Sequence, residues 1–499
     1  MGSMNRMKKI IVLITAFVTL AGRSCIALAS ELPYDTYNYN FYEDVVFTPA
    51  AYIPAGSVSG TQLYYEGESL GAFSNPRDIC KTPDGKVVIA DTGNNRIIIL
   101  NNDMTEVVKV ITGFDNNGVQ DKFSSPYGVC VSGKYDLYVA DSQNNRIVVL
   151  DKDYNLVKIV ANPTSEVLEE NYVFTPLKVA VDYADRIYCI AQNMFEGIMV
   201  FEENGQFIGF IGTIEVKISL WEKFWKRIAT KEERANQKLY IPTEFTGIDV
   251  DDDGFVYASN IDETGVQAIR RLNPKGEDVI KKGANKNLGG DLWTGGFTRY
   301  AGPSQITDVV YRQKGIYSLL DRKRGRIFTY DHEGNLLYIF GSIGTQAGTF
   351  ITPVAIENIG NTIIVLDSNR AEIMKFTETL YGSLINQAVA LRYDGDETQA
   401  VELWKKVLEL DENNELAYVG IGKAYLTSGD YVKAMEYLKK GMSSEYYSIA
   451  FKRYRNEVLK ENMSYLLTGI VIFIIAIIVG NRFYRKKKGL KKKEGLLNG

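Results

Sequence analysis

Asp249, Asp251, Asp253 and Gly254 have the spacing of the first half of a calcium loop, where carboxylates at alternate positions face one cation ahead of a tight turn. The twelfth position of such a loop supplies a bidentate carboxylate, and here it is Asn260, so no calcium is expected. Transition-metal chemistry has few ligands to draw on. The chain has one histidine, His332, within the turn-like Asp331-His332-Glu333-Gly334. No Gly-x-Ser-x-Gly elbow, phosphate-cradling Walker loop or cysteine–histidine pair occurs. Beyond the N-terminal stretch only Cys80, Cys130 and Cys189 remain. An odd count, with Cys80 and Cys130 at one repeat position, reads as small core side chains rather than a disulfide framework. The residues therefore predict no catalytic group, no cofactor and no metal.

The elements that would position any site are set by a repeat. Pro76, Pro126 and Pro176 fall fifty residues apart. The first leads through Val87-Val88-Ile89 to Asp91-Thr92-Gly93-Asn94-Asn95-Arg96, and the second through Val139-Ala140 to Asp141-Ser142-Gln143-Asn144-Asn145-Arg146. Short β-branched runs separated by turn residues are strands, and a unit of this size must stack on copies of itself to bury its apolar face. Less regular copies begin at Pro176, Pro242, Pro303 and Pro353, the later ones carrying Asp321 with Arg326 and Asp367 with Asn369-Arg370. Six units of four-strand size predict a β-propeller. The last unit is one strand short, and the stretch from Val45-Val46-Phe47 to Tyr52-Ile53-Pro54 is the available donor to close the ring.

Asp91, Asn95, Arg96, Asp141, Asn145, Arg146, Asp321, Arg326, Asp367 and Arg370 together resemble the NHL repeat. In the third and fourth copies Gln192 and Ser259 are expected in place of the Asp. An acid and a base recurring blade after blade are expected to tie a loop to the next strand by a charge-assisted hydrogen bond. The resemblance implies further options. Some NHL propellers are lyases with histidine-held zinc, a set this sequence cannot reproduce, while carboxylate pairs in the channel, as in lactonase propellers, stay open.

Lys8-Lys9, the apolar run Ile10 to Leu20 and Ala27-Leu28-Ala29 read as a secretory signal over 1–29, with Met1-Gly2-Ser3 set aside as a cloning remnant. The stretch 463–481 has the length and apolarity of a transmembrane helix. The tail 482–499 follows it with Arg482, Arg485, Lys486, Lys487, Lys488, Lys491, Lys492 and Lys493 against Glu494, which predicts a cytoplasmic C-terminus and an extracytoplasmic bulk. With 57 Lys+Arg against 61 Asp+Glu the net charge is -4, and removing the basic tail leaves the exterior more acidic, so no nucleic-acid partner is expected.

Between the propeller, expected over 34–380, and the membrane lies helical sequence, 382–461. Ala388, Leu391, Gly395, Ala400 and Trp404 recur at a spacing of 34 as Gly422, Tyr425, Gly429, Ala434 and Leu438, which resembles a pair of tetratricopeptide repeats. An insertion at 214–238 breaks the propeller pattern. Its Trp221, Phe224, Trp225 and Ile228 fall at i, i+3, i+4 and i+7, an amphipathic stripe that could pack on the propeller, lie on a membrane or meet a partner. The fold class is thus multidomain: an all-β six-bladed propeller, all-α helical repeats and one transmembrane helix. The function this favours is a membrane-anchored scaffold recognising a protein, such as a transporter or secretion component, or a glycan. A sensor signalling through a partner and a propeller enzyme of lactonase or lyase type are the alternatives.

Overall fold

In the computed structural model the described residues are 32–163, 165, 167, 168, 172–213, 244–262, 267–283, 288–292, 295 and 300–497, side chains beyond 488 excepted. They form two compact units: Val45–Ser383 with the described part of Met1–Tyr39, and Leu384–Gly499 with Asn40–Asp44. The stretch 1–29 and the insertion with Trp221, Phe224, Trp225 and Ile228 lie outside the described residues.

The first unit is a six-bladed β-propeller. Five antiparallel sheets follow in chain order, their innermost strands being Asp78–Lys81 in blade 1, Pro126–Val131 in blade 2, Pro176–Val181 in blade 3, Phe245–Val250 in blade 4 and Ile306–Gln313 in blade 5. Each has four strands except blade 4, which has three among the described residues. Blade 6 takes Pro353–Ile359, Thr362–Asp367 and Glu372–Glu378 from the end of the unit and its outer strand, Tyr52–Ser59, from the start. Ile373 faces Val58 and Thr377 faces Ile53 across that seam. This pairing removes the open edge that a linear stack of blades would leave. Val45–Phe47 takes no part in it and pairs with Tyr37–Tyr39 in a separate hairpin.

The apolar runs are continuous because both faces of a blade are covered. Val87–Asp91 and Leu137–Asp141 are buried at every position. Val88, Ile97 and Ile99 of blade 1 pack with Val129, Val139 and Val148 of blade 2. Tyr138 and Val149 of blade 2 pack in turn with Val179, Cys189 and Phe201 of blade 3. Truncating Ile97, Ile99 or Phe201 to alanine would cost about 2 to 5 kcal/mol.

A bulge near the start of the inner strand in blades 2 to 6 fixes the blade-to-blade equivalence, and the pairing of Asp78 with Ala90 places blade 1 in the same register. The pairs Pro126 with Asp141, Pro176 with Ala191, Phe245 with Asn260, Ile306 with Asp321 and Pro353 with Asp367 are matched, each followed by one extra residue. Two expectations are corrected by this register. Ala191 and Asn260 hold the repeat Asp position, not Gln192 and Ser259. The inner strands of blades 4 and 5 are marked by Phe245 and Ile306, not by Pro242 and Pro303.

From Leu380 onward the chain is helical: Leu380–Tyr393, Glu397–Leu410, Glu415–Ser428, Tyr431–Lys440 and Ser444–Leu497. Asp396, Asn414 and Asp430 cap three of these helices, accepting from the amides of Gln399, Ala417 and Lys433 at 3.0, 2.9 and 3.1 Å. Such caps are worth about 1 kcal/mol each. Gly395 and Gly429 both sit at φ 86°, left-handed stops that a side chain would strain. Gly420 lets Trp404 in close, since a Cβ there would lie 2.5 Å from the indole nitrogen. The last helix carries an apolar segment long enough to cross a membrane and is a candidate span.

Candidate functional site in the central channel

The innermost strands contact one another in sequence around the ring, and blade 6 contacts blade 1. The residue directly after the bulge in blades 2 to 6, and Asp78 in the same register of blade 1, therefore belong to one tier around the axis: Asp78, Gly128, Lys178, Gly247, Asp308 and Ala355. Charged side chains come from blades 1, 3 and 5, and blades 2, 4 and 6 supply Gly, Gly and Ala. The small residues are required there. A Cβ on Gly128 would lie 2.4 Å from the Leu177 carbonyl, and one on Gly247 would lie 2.5 Å from the Asp308 carboxylate. Into that space Lys178 extends its ammonium, which donates to Asp78 and lies 3.3 Å from Asp308 Oδ1. All three side chains are buried.

The carboxylates also close seams between blades. Asp78 accepts the amide of Val129 in blade 2, and Asp308 that of Ile356 in blade 6, each at 2.9 Å. One turn of the pleat further on, a second tier holds Cys80, Cys130, Ala180, Asp249, Val310 and Glu357. Its carboxylates repeat the device. Asp249 accepts from Tyr311 N at 2.7 Å, and Glu357 accepts from Lys81 N at 3.2 Å while pairing with the Lys81 ammonium at 3.0 Å. Inner strands are blade edges with unpaired amides, and these side chains occupy them.

Four carboxylates against the two ammonium groups and the Arg312 guanidinium of blade 5 leave the channel with one negative charge in excess, and protonation relieves it. Burial pushes the Asp308 carboxyl up to about 7 against the pull of Lys178. Burial and the neighbouring Glu357 charge do the same to Asp249, also to about 7. Asp78 is raised by burial despite Lys178. For Lys178 burial opposes the charge, but Asp308 and Asp78 outweigh it and hold the ammonium above its ordinary range. Burial pushes the Cys130 thiol up to about 12 and raises Cys80 as well, so neither is a thiolate nucleophile at neutral pH.

The repeat residues lie away from this tier. Asp91 accepts from Ser74 N, Asn94 and Arg96 Nε at 2.7, 2.9 and 2.7 Å, and Asp141 makes the matching bonds to Ser124 N, Asn144 and Arg146 Nε at 2.7, 2.8 and 2.8 Å. Asn95 and Asn145 take the left-handed conformation that ends the turn, and the Asn95 side chain accepts from Ser125 N of the next blade at 2.7 Å. Blades 5 and 6 depart from this pattern. Arg326 donates to the carbonyls of Asp35 and Gly341, and the cation nearest Asp321 is Arg324 at 3.6 Å, in the place of Asn94. Arg370 likewise stands in the Asn94 place and donates to Gly344 O and Gln346 O, while Glu372 is the residue paired opposite Asp367. The arginine thus stands two positions ahead of the Arg96 place in a turn of unchanged length, since Ala371, at φ 55°, holds the left-handed position of Asn95.

Asp249, Asp251 and Asp253 do not converge. Asp249 points into the channel network, Asp251 caps its hairpin and binds Arg271, and Asp253 is exposed. Among the described residues no three potential ligands stand together as a metal site. His332 lies in the hairpin capped by Asp331, outside both tiers. The sequence reading missed Asp78, Lys178, Asp308 and Glu357. Its available signal was opposite charge at one repeat position, Asp78 against Lys178.

Fold and channel define a β-propeller with an NHL signature. Residues 73–100, which span the first three strands of blade 1, match the NHL repeat. No curated protein matches the chain in sequence. Among solved structures, virginiamycin B lyase from Staphylococcus aureus is 13% identical over 65% of this chain and 98% of its own, with a TM-score of 0.39. A protein of unknown function from Bacteroides thetaiotaomicron is 16% identical over 67% and 79%, at 0.42. Hydrazine synthase from Kuenenia stuttgartiensis is 10% identical over 63% and 99%, at 0.37. Likenesses of this size carry no argument about activity.

Proposed function

We propose that the chain is a membrane-anchored scaffold whose propeller and helical repeats, on the extracytoplasmic side, recognise a protein partner. The observation that carries this reading is the helix Ser444–Leu497, which runs unbroken through the exposed apolar residues Leu466 to Val479. Tyr465 stands at one end of that stretch and Phe483 and Tyr484 at the other, where interfacial aromatics anchor a span. The cations from Arg482 to Lys493 then favour a cytoplasmic tail, and the leader-like stretch 1–29 agrees. The two helix pairs with glycine stops 34 residues apart support tetratricopeptide-type repeats, an architecture suited to gripping a peptide segment. Catalysis in the channel is disfavoured, because its carboxylates are committed to lysines and backbone amides and its thiols stay protonated.

Topology and partner are tested separately. A membrane-impermeant thiol reagent applied to intact cells should label Ser443→Cys and spare Gly495→Cys; the reverse pattern would refute the orientation. If the stripe at 221–228 serves a partner, Trp221→Ala with Trp225→Ala should abolish chemical crosslinking to that partner while leaving the melting temperature unchanged. A large loss of melting temperature instead would assign that stripe to the fold and remove it as a docking surface.

A further inference from the structure

The extra residues of the bulges in blades 2 to 6, with Arg77 at the equivalent place in blade 1, stand one step ahead of the buried tier: Arg77, Tyr127, Leu177, Thr246, Thr307 and Val354. All six are partly exposed, whereas the residues on either side of each, such as Pro76 with Asp78 and Pro126 with Gly128, are buried. A bulge re-aims its side chain out of the ladder. Six such positions around a closed ring make a collar over the Asp78–Lys178–Asp308 tier. The collar holds one cation, one phenol, two hydroxyls and two aliphatic groups, and no carboxylate.

Arg77 is the unusual member. Its guanidinium lies 5.4 Å from the ring centre of Tyr127 in the next blade, and its Nε is buried with no acceptor among the described residues. Arg96 answers to Asp91, Arg146 to Asp121 and Asp141, Arg186 to Asp182 and Arg271 to Asp251, while Arg326 and Arg370 donate to backbone carbonyls. A buried donor without an acceptor costs stability in the ligand-free chain, and stacking on Tyr127 holds the fork in place without using its donors.

We propose that this collar is a binding site for a small monocarboxylate with an apolar or aromatic skeleton. The carboxylate accepts from the Arg77 fork in the bidentate manner that guanidinium favours. The skeleton lies against Tyr127, Leu177 and Val354. The Thr246 hydroxyl is already engaged with the Ile306 carbonyl at 2.9 Å, which leaves Thr307 as the collar's hydroxyl for a further polar group. A single cation above a tier with excess carboxylates suits one negative charge better than the two of a phosphate ester. The site is independent of the scaffold reading, since it needs neither the membrane span nor a protein partner.

The test uses the full chain in detergent, with benzoate and phenylacetate as probes, their neutral amides and inorganic phosphate as controls, and empty micelles as the blank. Titration followed by saturation-transfer NMR should show saturable binding of the acids at millimolar concentration and at least tenfold weaker binding of the amides and of phosphate. Arg77→Gln should lose tenfold or more in affinity while melting no lower than the parent, because it removes an orphaned donor. Arg77→Lys, which keeps the charge and loses the fork, should fall between them. Equal binding by Arg77→Gln, equal binding of the amides, tighter binding of phosphate, or no saturable binding of either acid would overturn the proposal.

Discussion

Asp91 and Asp78 are buried carboxylates of the same blade, yet they serve different neighbours. Asp91 collects Ser74, Asn94 and Arg96, all from its own blade. Asp78 reaches Val129 in blade 2 and Lys178 in blade 3, and Lys178 goes on to Asp308 in blade 5. A bond made inside the repeat can be copied with it, and blade 2 copies the Asp91 set almost atom for atom. A bond made across the axis cannot be copied, because one cation in the centre serves two blades at once. Repetition here marks the Asp91-type clamp inside a blade, and the break in repetition at Asp78, Lys178 and Asp308 marks a contact that ties three blades together across the axis.

That contrast can be broken by mutation. Lys178→Met leaves two buried carboxylates facing each other without their cation, and the expected loss is about 3 to 5 kcal/mol, read as a fall in melting temperature of the detergent-solubilised chain. Arg96→Ala removes a charge-assisted bond but leaves Asp91 with Ser74 and Asn94, so about 1.5 to 3 kcal/mol is expected, with faster hydrogen exchange confined to blade 1. An equal loss in the two variants, or exchange spreading around the ring in Arg96→Ala, would erase the distinction.

The pH dependence sharpens it. Asp249 titrates near 7 in the fold against an ordinary value of 3.8, so between those limits the folded chain holds more protons than the unfolded one. Stability should fall as pH rises across that window and level off above it, by up to about 1.4 kcal/mol per pH unit for each such group. Asp249→Asn should flatten the melting-temperature profile between pH 5 and 7. The smallest effect is expected for Arg370→Ala, about 1 kcal/mol, because Asp367 is held by the amides of Ile351, Thr352, Asn369 and Arg370 without that side chain. A loss matching that of Arg96→Ala would mean that the displaced arginine still clamps its blade.

The local half of this chemistry was legible in the sequence. The spacing from Asp91 to Arg96 and from Asp141 to Arg146 fixes a turn and its partners within a few residues. The glycine stops at Gly395 and Gly429 are equally local, and so is the need for one more strand, although Tyr52–Ser59 rather than Val45–Phe47 supplies it. The channel was not legible. Seeing it requires the bulge that places Arg77 in one environment and Asp78 in another, and it requires aligning Phe245 and Ile306, not Pro242 and Pro303, with the earlier prolines. A shift of register moves every side chain to the other face, so Gln305 would have taken the place that belongs to Asp308.

The claim that Lys178 holds the ring by neutralising carboxylates from blades 1 and 5 is tested most directly by comparing melting temperatures of Lys178→Met and the triple variant Lys178→Met, Asp78→Asn, Asp308→Asn. If uncompensated charge is what the single variant suffers, the triple variant should recover most of the lost stability at pH 7.5, and the gap between the two should narrow at pH 5. A single variant that melts like the parent, or a triple variant that melts lower than the single one at both pH values, would contradict it.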